Sequence, residues 1–281
     1  MNQIKRTGIL VNFIAVLSFV FTSAQEDYTK SLNGINKVRI ETGTRVKIVI
    51  GSANELRFSK YKHDPDEYSE DDEHYEDEHE CEGCEDHQKN DRSKGLKPVY
   101  SGGTDNTGFG MSIEQEGDVL RIRDLKSWMQ RKGLQITLPK DMDIYLDCGN
   151  LGSAYLEGFS SEIEVNTNVG GIKLKDVTGP ITAHTSTGAV DVIFKNVNQS
   201  SPISLSSSTG AVDVSLPTNT KANLELRSTM GTVYTDFDLQ ISREDGMRVV
   251  GNNRKVISKL NGGGVKIVLR SSTGNVYLRK Q

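Results

Sequence analysis

Four possible metal ligands lie close together in one acidic stretch of the chain. His79, Cys81, Cys84 and His87 offer two imidazole nitrogens and two thiol sulfurs, which is the donor set of a tetrahedral zinc site. Residues 63–87 contain four of the five histidines and two of the three cysteines. The two-residue gap between the cysteines suits a metal knuckle, although the histidines lie closer to the cysteines in the sequence than they do in a usual zinc finger. The pattern predicts that these four residues bind zinc or a similar metal.

The same stretch allows two other interpretations. In one interpretation, Cys81 and Cys84 form a small disulfide in an oxidising compartment. In the other, the two thiols neither bind a metal nor form a disulfide. Fourteen Asp and Glu residues lie between His63 and His87, and a block of like charge has too little apolar surface to offset the entropy of ordering. Residues 60–95 are therefore predicted to be an acidic, His- and Cys-rich insert that is disordered without a ligand.

The first 24 residues have the layout of a cleavable signal peptide. Lys5 and Arg6 precede an almost wholly apolar run over residues 9–21, and small residues follow as far as Ala24. The run is short for a membrane span, which needs about 20 residues. No later segment is long and apolar enough to cross a bilayer. We predict cleavage after residues 1–24 and export to the periplasm, the outer surface or the medium.

A short phrase built on a glycine recurs through the second half of the chain. It reads Ser-Ser-Thr-Gly-Ala-Val-Asp-Val at its clearest, ending at Val214. The intervals between successive glycines are 18, 18, 22 and 21 residues, followed by 43, which is two intervals of similar size. The glycines are Gly152, Gly170, Gly188, Gly210, Gly231 and Gly274. Such a period predicts stacked structural repeats, with a degenerate repeat around residues 248–261.

Apolar and polar residues alternate on both sides of each glycine. Ile203-Ser204-Leu205 precedes Gly210, and Val212-Asp213-Val214 follows it, which is the period of half-buried strands. Each repeat is therefore predicted to be a strand, a turn at the glycine that needs positive φ, a second strand and a return loop. One repeat cannot bury its apolar face alone, whereas a stack can. The small hydroxylated residues before each glycine are expected to satisfy backbone groups at the corner.

The fold class follows from these repeats. The sequence predicts an all-β protein, a single-stranded β-solenoid or β-helix-like stack of about 18–22-residue rungs with an irregular N-terminal cap. Residues 25–59 supply N-terminal strands of the solenoid or its cap, and residues 96–281 supply the repeats. Cys148 is expected to be a small buried apolar residue.

With these phrases in view, the chain resembles the bacterial putative-adhesin β-solenoid family, a domain of unknown function found in exported proteins. The resemblance is carried by the strand ending Leu138-Pro139 and by the glycine phrases from Gly152 to Gly274. It covers residues 38–278 apart from the acidic insert. The resemblance implies the solenoid fold, and it implies no catalytic residue.

The expected function is that of an exported, non-catalytic cell-envelope or surface protein, adhesin-like or structural. We expect it to bind a protein or glycan through its solenoid face, and nucleic acid is excluded because the net charge is −4 and no basic patch appears in the sequence. The alternative is zinc sequestration or sensing by the acidic insert. A polysaccharide-active enzyme is a remote alternative, since only Asp191 and Asp213 form an obvious stacked carboxylate pair. The candidate outward residues are Tyr155, Lys173, Asp191, Asp213, Tyr234 and Tyr277.

Overall fold

The computed structural model describes residues 27–61, 96–126, 133–240 and 254–281. These residues contain strands and turns and no helix. The strands are, in chain order, β1 (Tyr28–Ser31), β2 (Lys37–Glu41), β3 (Val46–Ile50), β4 (Glu55–Lys60), β5 (Met111–Glu116), β6 (Val119–Asp124), β7 (Leu134–Leu138), β8 (Asp143–Asp147), β9 (Ala154–Glu157), β10 (Ile163–Thr167), β11 (Ile172–Val177), β12 (Ile181–Thr185), β13 (Val190–Phe194), β14 (Ile203–Ser207), β15 (Val212–Leu216), β16 (Ala222–Ser228), β17 (Val233–Thr235), β18 (Arg254–Leu260), β19 (Val265–Ser271) and β20 (Val276–Lys280).

The strands form two ten-stranded sheets that enclose one apolar core. The first sheet has the order β1-β4-β7-β3-β9-β11-β13-β15-β20-β17, and the second has the order β18-β16-β19-β14-β12-β10-β8-β2-β6-β5. Eight rungs each place one strand in the second sheet and the next strand in the first. Seven intervals of about 4.8 Å make this column about 34 Å long. The predicted all-β solenoid is confirmed.

The core consists of the alternate apolar residues that the sequence pattern indicated. Ile163 lies beside Ile181 and Val165 beside Ala183 in the second sheet, while Val190 lies beside Val212 in the first. All six side chains are buried. In-register parallel pairing brings equivalent positions of successive rungs together, so apolar positions stack on apolar positions and outward positions stack on outward positions.

The spatial order of the rungs differs from their order along the chain at both ends. The rung β19/β20 lies between β14/β15 and β16/β17, although it comes last in the sequence. The degenerate repeat expected around residues 248–261 is instead represented by β18, which pairs antiparallel with β16 as the last strand of the second sheet. At this end, the position of a rung in the stack therefore does not follow its position in the chain.

The N-terminal end repeats this arrangement. The rung β2/β3 lies between β6/β7 and β8/β9, with parallel pairing on both sides. The end of the column is closed by β5, antiparallel to β6, and by β4 and β1, antiparallel to β7 and β4 respectively. An irregular N-terminal cap therefore exists, but the first rung of the chain lies one step inside it.

The repeated glycines have a different physical role from the predicted one. Gly188, Gly210 and Gly274 do not adopt positive φ. A Cβ added at Gly210 would clash with the carbonyl oxygen of Gly188, and one at Gly274 would clash with that of Gly210. The predicted turn conformation was wrong for these residues, and the requirement for glycine comes from the close approach of corners in adjacent rungs.

A ladder of hydroxyl groups accompanies the glycines, as expected for a structural corner. Ser207 Oγ donates a hydrogen bond to the Gly188 carbonyl at 2.8 Å and accepts one from the Gly210 amide at 2.8 Å. Ser271 Oγ donates to the Gly210 carbonyl at 2.9 Å. The equivalent hydroxyls of the other rungs belong to Thr167, Thr185 and Ser228. These side chains satisfy buried backbone oxygens that the corner itself leaves unpaired.

Candidate functional site

The predicted outward residues form one continuous row across the first sheet. Register pairing places Tyr155 beside Lys173, Lys173 beside Asp191, and Asp191 beside Asp213. Asp213 lies beside Tyr277, which in turn lies beside Tyr234. Because each residue occupies the same position of its rung, the row follows directly from the repeat. We call it the first-sheet row: Lys47, Tyr155, Lys173, Asp191, Asp213, Tyr277 and Tyr234.

The row ends in two stacked aromatic rings. The ring centroids of Tyr234 and Tyr277 are 5.3 Å apart, and the ring planes differ by 12°. Asn275 Nδ2 donates a hydrogen bond to the Tyr277 hydroxyl at 2.9 Å, which fixes the orientation of that ring. Tyr234 is 50 % exposed because β17 is the last strand of the first sheet. The last ring of the row is therefore open to a partner.

Arg279 completes this end of the row, and sequence reasoning missed it. Its Nε and Nη2 atoms donate to the two carboxylate oxygens of Asp213 at 2.8 and 2.7 Å, and its guanidinium lies 5.3 Å from the Tyr277 ring centre. The hydrogen bond and charge of Asp213 raise the pKa of Arg279. Arg279 follows Tyr277 by two residues in an alternating strand, so its outward position was readable from the sequence.

The opposite end of the row is more closely packed. Lys47 Nζ lies 5.2 Å from the centre of the Tyr155 ring, and the Tyr155 hydroxyl donates to Glu157 Oε2 at 3.1 Å. Lys175 Nζ lies 3.3 Å from the other Glu157 oxygen. Tyr155 is buried under these neighbours. The aromatic surface that the row offers to a partner is therefore concentrated at Tyr234 and Tyr277.

The predicted metal ligands His79, Cys81, Cys84 and His87 lie outside the described residues. Within the ranges that the structure describes, no group of three or more His, Cys, Asp and Glu side chains could hold a metal ion. Cys148 is a buried free cysteine, as expected, and burial raises the pKa of its thiol, with a smaller contribution from Asp147. The proposed signal peptide and the proposed insert also fall on residues that the structure does not describe, apart from Lys60, which ends β4, and Tyr61.

Among the four described ranges, no helix is long and apolar enough to cross a membrane.

Comparison with known proteins gives structural neighbours of low sequence identity. A crystal structure of a putative cell adhesion protein from Clostridium sporogenes is 13 % identical, covers 91 % of this chain and 99 % of its own, and has a TM-score of 0.46. That of a putative adhesin from Bacteroides fragilis is 11 % identical, covers 92 % of this chain and 98 % of its own, and has a TM-score of 0.35. No curated protein matches the chain.

The family of the chain is shown by its repeats. The family model for the Toastrack DUF4097 domain matches residues 134–279, which is more than half of the 281-residue chain. The matched region begins at β7 and continues to β20, so it contains all six corner glycines from Gly152 to Gly274. The chain therefore belongs to the Toastrack DUF4097 family.

Proposed function

We propose that this is an exported, non-catalytic protein of the cell envelope or surface that binds a protein or glycan through the first-sheet row. The observation that carries the proposal is the exposed end of that row, where Tyr234, Tyr277 and Arg279 are held in a fixed arrangement. Tyr and Arg are enriched among the residues that contribute most to protein interfaces. A rigid sheet presents them with little loss of side-chain freedom on binding, because the stacking and hydrogen bonds already hold them in place.

The absence of a catalytic role is part of the proposal. Asp191 and Asp213 are adjacent in register, which is the pair that a polysaccharide-cleaving enzyme would need. Arg279, however, forms a bidentate ion pair with Asp213, so a fixed cation balances the charge of this carboxylate. That arrangement favours a structural role for the carboxylate over general acid or base chemistry.

Binding to immobilised glycans and isolated bacterial envelopes tests the proposal. The mature protein should bind at least one of these surfaces, and Tyr234→Ala should weaken the binding about tenfold or more, since aromatic residues at a binding centre contribute about 2 kcal/mol or more. Tyr145→Ala on the second sheet is the matched control and should bind like wild type. Equal binding by all three proteins would show that the first-sheet row is not the binding surface.

The proposed chain organisation is a signal peptide over residues 1–24, strands over 25–59, an acidic insert over 60–95 and repeats over 96–281. It rests on the basic and apolar start of the chain, on the acidic block and on the glycine period. Mass spectrometry of protein secreted by a bacterial host should find Gln25 as the first residue. A mature protein that retains residues 1–24 would contradict the proposed cleavage.

A second candidate function, zinc sequestration or sensing, rests on the composition of the insert. His79, Cys81, Cys84 and His87 are the proposed ligands, and the concentration of histidine and cysteine in one acidic stretch favours this role. Calorimetry of the reduced mature protein should detect zinc binding that weakens below about pH 6, because imidazole and thiol groups must lose protons to bind the metal.

Two variants test the ligand set. Cys81→Ser combined with Cys84→Ser should remove tight zinc binding, whereas Asp71→Asn combined with Asp72→Asn should change only its salt dependence, since those carboxylates would attract cations over about 10 Å. A Cys81–Cys84 disulfide in the secreted protein, or unchanged zinc affinity after the double cysteine substitution, would contradict the metal site.

A further inference from the structure

The outer face of the second sheet carries a concentrated positive charge near its C-terminal end. Three neighbouring strands, β19, β16 and β18, contribute alternate residues to this surface. We call it the cationic face: Arg227, Lys255, Lys259, Lys266 and Arg270. The protein as a whole has a net charge of −4, so this face differs in sign from the average surface.

One carboxylate lies within the cationic face and neutralises only part of it. Glu225 contacts Arg270 at 2.7 Å, Lys266 at 3.6 Å and Lys255 at 3.7 Å. The hydrogen bond from Arg270 and the nearby lysines lower the pKa of Glu225 despite the opposing effect of burial, so this carboxylate remains ionised. Within the described part of the chain, five cations and one anion give this face a net charge of +4.

Two of the cations have no neutralising partner among the described residues. Arg227 forms no ion pair there, and its buried Nε atom has no hydrogen-bond acceptor. Register pairing places Arg227 between Arg270 and Lys255, so three cations stand in one line across three strands. Lys259 likewise has no carboxylate partner in the described part of the chain. Such repulsive arrangements have a cost in free energy that a bound anion would remove.

Protection of a sheet edge explains only part of this charge. Lys255 and Lys259 lie on β18, the last strand of the sheet, where lysine discourages pairing with another chain. Lys266 and Arg270 lie on β19 and Arg227 on β16, which are paired on both sides. An interior strand has no free edge to protect, so these three cations need another explanation.

The arrangement of these charged side chains indicates the class of partner. The line Arg270, Arg227 and Lys255 has a spacing of about 4.8 Å between strands. The same line continues through Ser206 and His184 on β14 and β12, and His184 Nδ1 lies 3.0 Å from Ser206 Oγ. A rigid row of cations followed by hydroxyl and imidazole groups suits a linear polymer that carries both anions and hydroxyls at regular intervals.

We propose that the cationic face binds a linear acidic polysaccharide along the line from His184 to Lys255. A lipid surface fits less well, because exposed apolar anchors are scarce: Ile257 is 39 % exposed and Val268 only 8 %. A disordered acidic peptide would lose much of its conformational freedom on ordering against this sheet. The proposal concerns the sheet opposite the first-sheet row and does not depend on the function proposed for that row.

Binding of the mature protein to immobilised polygalacturonate tests the proposal. Wild type should bind with an affinity that falls as sodium chloride is raised, because each ion contact releases counterions. Lys266→Gln combined with Arg270→Gln should weaken binding about tenfold or more, since each surface cation contributes substantially to binding an anionic surface. Lys140→Gln combined with Lys195→Gln removes the same charge from exposed positions elsewhere and should bind like wild type.

A second variant should change the affinity in the opposite direction. Among the described residues, Glu225 is the one carboxylate that contacts the cationic face, and Glu225→Gln releases three cations, so polygalacturonate binding should become several-fold tighter. Damage to the fold could not produce this gain. Unchanged or weaker binding by Glu225→Gln would overturn the proposal. An equal loss of binding in the Lys266/Arg270 double variant and in the Lys140/Lys195 control would also overturn it. Stronger binding to polyglutamate or to anionic phospholipid vesicles than to polygalacturonate would overturn the assignment to a polysaccharide.

Discussion

At the scale of single residues, the corner of each rung is where the chain tolerates least change. The Gly188, Gly210 and Gly274 corners lie directly against one another in the stack, with β20 following β15. Ser207 and Ser271 bridge these corners through hydrogen bonds to the glycine carbonyls. A methyl group at one corner must move the backbone of the next rung, because the obstructing atom belongs to the backbone and not to a flexible side chain.

Substitution at one corner tests this explanation. Gly210→Ala, and more strongly Gly210→Val, should lower the free energy of unfolding by about 1–3 kcal/mol or more, the usual range for overpacking a rigid site. Asp213→Asn on the outer face should cost less than about 1 kcal/mol, as expected for a surface ion pair. Urea unfolding followed by circular dichroism measures both. Equal midpoints for the Gly210 and Asp213 variants would contradict the close approach of the corners.

Asp105 provides a pH-dependent contact at the N-terminal end of the column. Its carboxylate accepts hydrogen bonds from the amides of Thr107, Gly108 and Gly110, each at 2.9 Å, and from the Thr107 hydroxyl at 3.0 Å. Burial raises the pKa of Asp105, but the four hydrogen bonds together lower it below its usual value of 3.8. The folded state therefore favours the ionised carboxylate more than the unfolded state does.

The sign of the pH dependence follows from that lowered pKa. The stabilisation by Asp105 is complete above its unfolded pKa, near pH 4, and is lost as the pH falls through the lower folded pKa. Wild type should be more stable than Asp105→Asn at neutral pH, and the difference should shrink on acidification below about pH 4. Asp238→Asn, at an exposed position, is the control. A difference between wild type and Asp105→Asn that stays constant down to pH 2 would contradict the role of the ionised group.

At the scale of secondary-structure elements, the rung that comes last in the sequence, β19/β20, occupies an interior position in the stack. The strand β20 pairs with β15 on one side and β17 on the other, and β19 pairs with β14 and β16. Without β19 and β20, the rung β16/β17 would have no neighbour to stack on. The C-terminal segment is therefore required for the position of the segment that precedes it.

Truncation at either end tests this interior position. Removal of residues 276–281 deletes β20 and should abolish cooperative unfolding of the C-terminal rungs or greatly lower the melting temperature, because buried Val276 and Leu278 are lost with it. Deletion of residues 27–31 removes the edge strand β1 and should have a much smaller effect. Comparable melting temperatures for the two truncated proteins would show that β20 is not an interior strand.

At the scale of the whole molecule, the column is a stack of eight rungs with antiparallel strands at its ends. Parallel pairing between neighbouring rungs is the main long-range contact, as in other solenoid proteins. At both ends, a rung that is terminal in the sequence lies one step inside the stack. Antiparallel strands close both sheets at the N-terminal end, whereas at the C-terminal end β18 closes only the second sheet and the first sheet ends with the parallel strand β17. Lys255 and Lys259 on β18 discourage the addition of strands from another molecule at that edge.

Native-state hydrogen exchange should report this order. Amides of β2 and β3 should exchange as slowly as those of β10 to β13, because the rung β2/β3 is paired on both sides. Amides of β1 and β18, at sheet edges, should exchange faster. Mass spectrometry of peptic peptides can resolve these segments. Fast exchange throughout β2 and β3 would place that rung at the end of the column, as its position in the chain suggests.

The family and the repeating core were accessible from the sequence because they depend on local periodicity. The glycine phrases predicted the putative-adhesin β-solenoid resemblance, and the match to the Toastrack DUF4097 family confirms it. The same alternation identified the first-sheet row, since residues at one position of each rung must share a face. Arg279 was overlooked although it obeys the same rule, because it lies outside the repeated phrase.

Other features depend on segments that are distant in the sequence. The cationic face joins residues of β16, β18 and β19. These strands contain no run of consecutive basic residues beyond the pair at 254–255, so the sequence by itself showed no basic patch. The inserted rungs at both ends leave no signal in the glycine period, because that period records the size of a rung and not its neighbours.

The amino-acid sequence by itself determined that the chain forms stacked rungs, which side chains enter the core and which face outward, because alternation and glycine spacing act within about 20 residues. Only the tertiary structure decided which rung lies against which. It also decided why Gly210 must be glycine, since the obstructing oxygen belongs to Gly188 in the neighbouring rung. Both decisions depend on contacts between rungs, and a period along the chain specifies the repeating unit without specifying the order in which units stack.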